Sequence, residues 1–309
     1  MYKIKHTPED FFVREELKLE LKEKGDYSYF ILRKRDWNTD DAIREIANRL
    51  RIGTKRLGFA GNKDKQALTE QYVSVYKIGK DELENLRVKD IEIKFIGYGD
   101  ERINLGELDK NFFKIIVRNL DKKDKIKCSA TMKIKNYFDE QRFGYDNENV
   151  LIGRALIKRD FKKVCSKLRL NIEKNNYIGA LRKSGTRMLR FYLHAYSSYL
   201  WNEVVKNLKR EYDKVLIIGF LSELKKDEIG KEYEKLMKKE KIKLKDFLFR
   251  EFNELSCEGD ERKMFMEIKE FKCEYGDDEL NKGKFKAVLE FSLGKGEYAT
   301  MLIKSLFKN

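Results

Sequence analysis

A polar loop between two strand-like runs carries the residue types best suited to chemistry. The apolar run 57–60 ends at Gly61, the sequence Asn-Lys-Asp-Lys fills 62–65, and apolar and polar residues alternate over 72–76. Such alternation is typical of a β-strand, so the loop is predicted to join two strands. It could hold the carboxylate of Asp64 between ammonium groups, which favour its ionised form. The same residue types also gather in surface turns for backbone reasons, so the loop alone leaves a turn of solvated charges open.

The loop and the strand after it resemble a motif of a known enzyme family. The stretch 61–71 is similar to G-x-K-D-x-x-A-x-T-x-Q of the TruD family of tRNA pseudouridine synthases, in its archaeal type, and matches at Gly61, Lys63, Asp64, Ala67, Thr69 and Gln71. A match at this many spaced positions is far more specific than one Asp in a turn. In that family the Asp is the catalytic carboxylate, so the resemblance implies that role for Asp64. Lys63 and Lys5 would then keep Asp64 ionised or contact phosphate.

Segments outside the loop resemble the same family and imply a substrate pocket. The N-terminal motif P-E-D-F-x-V-x-E implies that Phe11 lies beside the pocket and that Lys5 belongs to it. A later segment resembles L-G-x-L-x-G-N-x-F, which implies that Asn111 and Phe113 contact the target nucleotide. Without the resemblance, both Phe residues would be core positions and Asn111 a turn residue.

Two more segments complete the predicted site. The stretch 136–144 resembles N-Y-F-G-x-Q-R-F-G, and we expect Arg142 in it to face RNA, because a guanidinium can stack on a base or pair with phosphate. A segment near the C-terminus resembles G-x-[FY]-A-T, whose aromatic residue lines the pocket in the family, which implies that place for Tyr298. Lys110 and Asp139 stand where the family has Gly.

The composition of the chain favours a nucleic-acid partner. Of the 309 residues, 41% are hydrophobic, which allows a sizeable core, and the formal net charge is +15. The stretch 151–190 holds twelve Lys or Arg but two acidic residues, so it is the best candidate for a phosphate-binding surface. Abundant Lys and Glu with three Gln are typical of thermophile proteins.

Several kinds of site and location are disfavoured. The chain has no apolar run of 18 residues and begins with the charged MYKIKHTPED, so we expect no membrane association and a cytoplasmic location. The four cysteines and two histidines lack zinc-site spacing, and no dinucleotide or P-loop motif is present, so we expect neither a metal nor a cofactor. We expect a monomer with no obligatory protein partner.

The apolar pattern predicts both strands and helices, hence an α+β fold. In addition to the strand over 72–76, strands are predicted near Phe11 and over 17–21, 27–32, 91–96, 112–117, 265–275 and 285–293. Helices are predicted from Asn38 or Thr39 and over 192–208, with charged amphipathic helices within 223–256.

The family-like segments lie toward both chain ends, and the most basic stretch lies between them. This arrangement predicts a catalytic domain of residues 1–146 plus 261–309, interrupted by an inserted basic RNA-binding domain, 147–260. The resemblance implies a mixed, mainly antiparallel sheet as the pseudouridine synthase core and a mostly helical insertion.

The resemblance implies an isomerase that converts a uridine of tRNA, usually at position 13, to pseudouridine with Asp64 and base flipping. Two other classes stay open on sequence alone. A non-catalytic RNA-binding protein would use the basic insertion, and its activity would survive substitution of Asp64. A metal-dependent nuclease would need further carboxylates around Asp64, of which Glu70 is the only near one.

Overall fold

The chain divides into two compact units. The computed structural model describes residues 1–121, 131–269 and 271–307. The first unit is Met1–Ile134 with Glu267–Asn309, and the second is Lys135–Met266. These limits fall near, but not at, the predicted domain limits of 146/147 and 260/261. The assignment of catalysis to the first unit and of RNA binding to the second stays a prediction.

Strands build most of the first unit. In chain order the strands are β1 (Phe11–Glu16), β2 (Tyr27–Arg35), β3 (Leu57–Phe59), β4 (Leu68–Tyr76), β5 (Ile91–Gly99), β6 (Lys110–Leu120), β7 (Thr131–Lys135), β8 (Lys214–Ile217), β9 (Asp260–Lys263), β10 (Phe265–Lys269), β11 (Lys272–Asp277) and β12 (Phe285–Gly294). Eight of these form one sheet in the order β11-β12-β6-β1-β4-β2-β5, with β3 paired to β4. β1 and β4 run parallel, and the other neighbours run antiparallel. The predicted α+β class with a mainly antiparallel sheet is confirmed.

Helices occur in both units, and the one that packs on the large sheet begins where the sequence predicts. In chain order the helices are α1 (Thr39–Arg49), α2 (Lys80–Glu84), α3 (Glu140–Phe143), α4 (Glu148–Ile157), α5 (Phe161–Lys167), α6 (Tyr177–Ser184), α7 (Thr186–Asn207), α8 (Glu228–Glu240) and α9 (Ala299–Leu306). Asn38 caps α1, because its side chain accepts a hydrogen bond from Asp41 N at 2.8 Å. The apolar side of α1 packs on β2 and β4, against Phe30 and Val73 among others.

The predicted strands are confirmed except one. The alternating segment 17–21 forms no strand. Leu17 and Leu19 instead pack, half-buried, against a small cluster around Tyr29. The chain returns to the sheet at Lys22, which bridges to Tyr98. The predicted strand 265–275 is two strands, β10 and β11, and residue 270 between them lies outside the described residues.

Helices build most of the second unit. The predicted helix over 192–208 begins earlier, at Thr186, as the 22-residue α7, which buries Tyr196 and Trp201 completely. Within 223–256, α8 forms the one full helix, and short 3₁₀ turns follow it. Asp139 caps α3, since its Oδ1 accepts a hydrogen bond from Glu140 N at 2.7 Å. None of the helices formed by the described residues is both long and apolar enough to cross a membrane.

A buried ion cluster joins the two chain segments of the first unit. Arg118 of β6 pairs with Asp10, just before β1, at 2.8 Å and with Asp278, just after β11, at 3.0 Å. Its hydrogen bonds to Asp10 raise the pKa of Arg118. Burial opposes ionisation of Asp278, but hydrogen bonds from neighbouring backbone and side-chain groups, Arg118 included, lower the pKa of that carboxyl to about 2. The cluster therefore links the start of β1 to β6 and to the segment after β11 through buried charged groups.

Candidate active site

One face of the sheet gathers the predicted pocket residues. Val13 of β1 lies opposite Phe113 of β6, and Glu15 lies opposite Asn111. Side chains alternate along a strand, and directly paired residues share a face. Phe11, Val13 and Glu15 therefore point to the same face as Asn111 and Phe113. Phe11 and Phe113 are almost fully buried there.

An ion pair places the predicted catalytic carboxylate beside these aromatic rings. Lys5 Nζ donates a hydrogen bond to Asp64 Oδ2, and the two side chains are 16% and 23% exposed. The same ammonium lies 4.5 Å from the centroid of the Phe11 ring, within cation–π range. Phe11 meets Phe113 edge-to-face at 6.2 Å, and Phe113 stacks on Phe291 at 5.4 Å. These residues form one contiguous group, and its carboxylate is partly open to solvent.

Hydrogen bonds to the backbone fix the loop of residues 61–65, called here the Asp64 loop. Gln71 of β4 donates to Gly61 O at 3.1 Å and accepts from Thr39 Oγ1 at 2.9 Å. Thr39 Oγ1 in turn accepts from Lys63 N at 2.9 Å. The first turn of α1 and the strand β4 thus hold the loop from two sides, which gives the Gln of the motif a structural reason.

Lys63 pairs with Glu15, and it is Lys5 that contacts Asp64. The expectation that Lys63 keeps Asp64 ionised or contacts phosphate stays a prediction. Lys63 Nζ donates to Glu15 Oε2, and the two side chains are 7% and 0% exposed. The other oxygen of Glu15 accepts from Tyr72 N at 3.2 Å. A buried carboxylate needs such partners, and Lys63 supplies the opposite charge. Lys63 therefore anchors the Asp64 loop to β1, and Lys5 takes the place beside Asp64.

We expect Lys63→Met to lower the free energy of unfolding by about 3 kcal/mol, because it leaves the Glu15 carboxylate buried without its ion pair. Urea unfolding measures the change. The matched control is Lys65→Met in the same loop, whose side chain is exposed and should change stability by less than about 0.5 kcal/mol. A double variant with Glu15→Gln should recover part of the loss, and a double variant as unstable as Lys63→Met contradicts this account.

Two buried oxygens near the site have no hydrogen-bond partner among the described residues. They are Asn111 Oδ1, on the pocket face, and Thr69 Oγ1, on β4 opposite Lys34. Buried polar atoms are normally paired, so each oxygen is suited to a water or a bound molecule. Within the described ranges, no three His, Cys, Asp or Glu side chains are grouped as metal ligands would be.

The last two predicted site residues lie farther along the chain. Tyr298 is half-buried at the N-terminus of α9, five residues after Leu293, which pairs with Asn111 across β12 and β6. Arg142 lies in the second unit, on α3, with its guanidinium 5.1 Å from the centroid of the Phe138 ring. The structure therefore brings Lys5 to Asp64 through direct contact. Phe11 contacts Lys5, Phe113 contacts Phe11, and strand register places Asn111 on the same face as both rings.

Sequence reasoning missed three buried polar residues that support the site. Lys34 and Thr39 are 0% exposed and Glu15 is 1% exposed, and each contacts the Asp64 loop. One signal was available for Lys34. It continues the buried alternation of Phe30 and Leu32 along β2, at a position where a lysine is unusual.

Comparisons with known proteins identify the family of this chain. The sequence model of tRNA pseudouridine synthase D (TruD) matches residues 2–169 and 214–306. The chain belongs to the TruD family. A relative from Aquifex aeolicus, named tRNA pseudouridine synthase D, is 30% identical, with 99% of this chain and 98% of the relative covered. A TruD crystal structure from Methanosarcina mazei matches with a TM-score of 0.76 at 25% identity, covering 99% of this chain and 93% of that one.

TruD membership confirms three of the predictions made from sequence. They are the family, the pseudouridine synthase fold and the enzyme class, an isomerase that makes pseudouridine. It leaves the part played by each side chain as a proposal.

Proposed function

We propose that this TruD protein converts a uridine of tRNA to pseudouridine with Asp64 as its catalytic carboxylate. The observation that carries the proposal is the Lys5–Asp64 ion pair beside Phe11 and Phe113. The reaction breaks the C1′–N1 bond, turns the uracil and joins C1′ to C5. The proton lost from C5 is balanced by one gained at N1, so substrate and product are isomers. A carboxylate at the sugar–base junction can serve this exchange.

The aromatic group beside Asp64 suits a nucleotide that has left its stack. Enzymes that act on a base turn it out of the helix and hold it by stacking and edge hydrogen bonds. Phe11, Phe113 and Tyr298 would line the pocket and stack on the flipped base. Asn111 Oδ1, buried and without a hydrogen-bond partner among the described residues, would accept a hydrogen bond from the flipped nucleotide.

The second unit offers a basic surface for the tRNA backbone. Lys158, Lys162 and Lys163 are exposed around the end of α4 and the start of α5. Arg159 is used differently, because its guanidinium lies 3.9 Å from the centroid of the Phe249 ring and donates to backbone carbonyls. Arg159 therefore supports the fold, and the three lysines remain for phosphate. Contacts of this kind position RNA without reading its sequence.

Reversal of these three charges should weaken tRNA binding and flatten its salt dependence. The slope of log K against log salt is negative, and each lost phosphate contact makes it less steep by about 0.7–0.9. The control is the same triple change to Glu at Lys235, Lys238 and Lys239, which are exposed on α8 of the same unit. It alters the net charge equally and should leave the slope closer to that of the wild type. Equal slopes for both triple variants contradict the proposed surface.

The proposal further holds that the target is uridine 13, that Arg142 faces RNA, and that the enzyme works as a cytoplasmic monomer. Lys5 pairs with Asp64, and Lys63 pairs with Glu15 and so anchors the Asp64 loop to β1.

The target is tested with two unmodified tRNA transcripts, one of them carrying cytidine at position 13. Pseudouridine is located by chemical derivatisation and mass spectrometry. Equal product from both transcripts rejects position 13.

The catalytic role is tested by Asp64→Asn in the same assay. The variant should bind tRNA and form no pseudouridine. A non-catalytic RNA-binding protein, which the sequence alone leaves open and TruD membership argues against, would keep every activity in this variant. A variant that turns over normally therefore rejects the catalytic role of Asp64.

A further inference from the structure

Lys34 places a charged group in the interior of the first unit. Lys34 lies on β2 and is 0% exposed. It is in register with Thr69 of β4 and Ile91 of β5. A fully buried lysine is rare, because removing an ammonium from water is costly unless the group gains partners. Its partners therefore indicate what the side chain does.

The ammonium of Lys34 hydrogen-bonds two backbone carbonyls from separate segments. It donates to Asp64 O at 3.0 Å and to Trp37 O. Trp37 lies just before α1, and Asp64 lies in the loop after β3. Thr39 and Gln71 hold the Gly61 and Lys63 positions of that loop, whereas Lys34 holds the backbone of Asp64 itself. A charge-assisted hydrogen bond is about twice as strong as a neutral one.

The charge of Lys34 is sensitive to its surroundings. Burial lowers the pKa of Lys34 to about 8, against the opposing effect of the Asp64 charge, and the Lys63 charge lowers it further. The residues in register with it on the neighbouring strands, Thr69 and Ile91, do not titrate. Lys34 is therefore charged at neutral pH and loses its charge as the pH rises through about 8.

We propose that Lys34 is a positioning residue whose ammonium holds the main chain of Asp64 and so sets where the catalytic carboxylate lies. The proposal rests on the proposed role of Asp64. Lys34 and Lys5 contact different parts of Asp64. Lys5 pairs with the carboxylate, on the pocket side, and Lys34 binds the carbonyl, on the buried side.

The test is Lys34→Gln. Its rate constant for pseudouridine formation is measured in single turnover, with enzyme in excess over tRNA. We expect the rate constant to fall about 10²-fold and the Kd for tRNA to change less than about threefold, because a small displacement of a reacting group has an effect of that size. The wild-type rate constant should also fall as the pH rises through about 8, and the variant should lack this fall. Lys55→Gln, at an exposed position of the same unit, is the control and should keep both properties.

Distinct outcomes overturn the proposal. A folded Lys34→Gln that keeps the wild-type rate, or keeps the fall near pH 8, removes the positioning role. If that variant does not fold, a wild-type rate constant that stays flat from about pH 7 to about pH 9.5, across the expected loss of charge, overturns it as well. An inactive Asp64→Asn with a fully active Lys34→Gln rejects only the role of Lys34, whereas an active Asp64→Asn rejects the proposed function.

Discussion

Asp64→Asn is expected to lower the rate of pseudouridine formation at least about 10³-fold, the scale of loss when a group that reacts directly is removed. An amide has nearly the shape of a carboxylate but cannot supply its charge. The exchange should spare the fold, because the Asp64 loop is held by other hydrogen bonds: Gly61 O accepts one from Gln71, and Lys63 N donates one to Thr39 Oγ1. The Asn oxygen can also still accept from Gln66 N, which donates to Asp64 Oδ1 at 3.3 Å.

Single-turnover rates with excess enzyme, together with a separate tRNA binding measurement, isolate the chemical step. The matched control is Asp100→Asn, which removes another carboxylate paired with a lysine, Lys22, in the same unit. The Asp100 side chain is 60% exposed, so the control should keep the wild-type rate and stability. A rate for Asp64→Asn within about tenfold of the wild type, a difference of about 1.4 kcal/mol in barrier, contradicts the catalytic role.

The expected loss does not depend on the order of chemical steps. The carboxylate could attack C1′ of the ribose, attack C6 of the uracil or take a proton from C2′. Each route needs the ionised carboxylate of Asp64 beside the sugar–base junction. The Asp64 side chain is 23% exposed, so solvent reaches part of its carboxylate.

Apolar alternation predicted most strands, and its one failure has a physical reason. β2 and β4 pair along their whole length, so one face of each is buried and the pattern follows. The segment 17–21 alternates as clearly, yet Leu17 and Leu19 pack against Tyr29, and no strand in the described part of the chain pairs with them. Strand formation needs a neighbour for its backbone, and local sequence cannot show whether one is present.

Motif spacing selected the candidate site residues, whose roles stay predictions, but it did not predict which charges pair. Lys63 adjoins Asp64 in sequence, and yet it reaches inward to Glu15. Lys5, 59 positions earlier, supplies the ammonium at Asp64. Lys63 and Asp64 are neighbours in sequence, yet their side chains have different partners, so adjacency does not predict which charges pair. Lys34 was missed for a related reason, since its partners are main-chain carbonyls that no residue type reveals.

Arg118→Met is expected to lower the free energy of unfolding by about 5 kcal/mol near neutral pH, because it leaves Asp10 and Asp278 as buried carboxylates without their cation. Both carboxylates are at most 1% exposed and lie in chain segments that the arginine joins. The control is Arg44→Met, which breaks a surface pair with Asp41 at a 63% exposed side chain and should change stability by less than about 0.5 kcal/mol. Urea unfolding of the wild type and both variants measures the differences.

The pH dependence of this loss separates the ion cluster from simple packing. The pKa of Asp278 is lowered to about 2 in the folded chain, from an ordinary value of 3.8. Its contribution to wild-type stability is therefore complete above about pH 4 and is lost as the pH falls toward 2. In Arg118→Met the Asp278 carboxyl loses a hydrogen bond that helps to lower its pKa, so it takes up a proton at higher pH than in the wild type and becomes less costly to bury. The difference between wild type and Arg118→Met should therefore be largest near neutral pH and narrow on acidification, whereas a loss that is constant with pH would mean that Arg118 acts through packing alone.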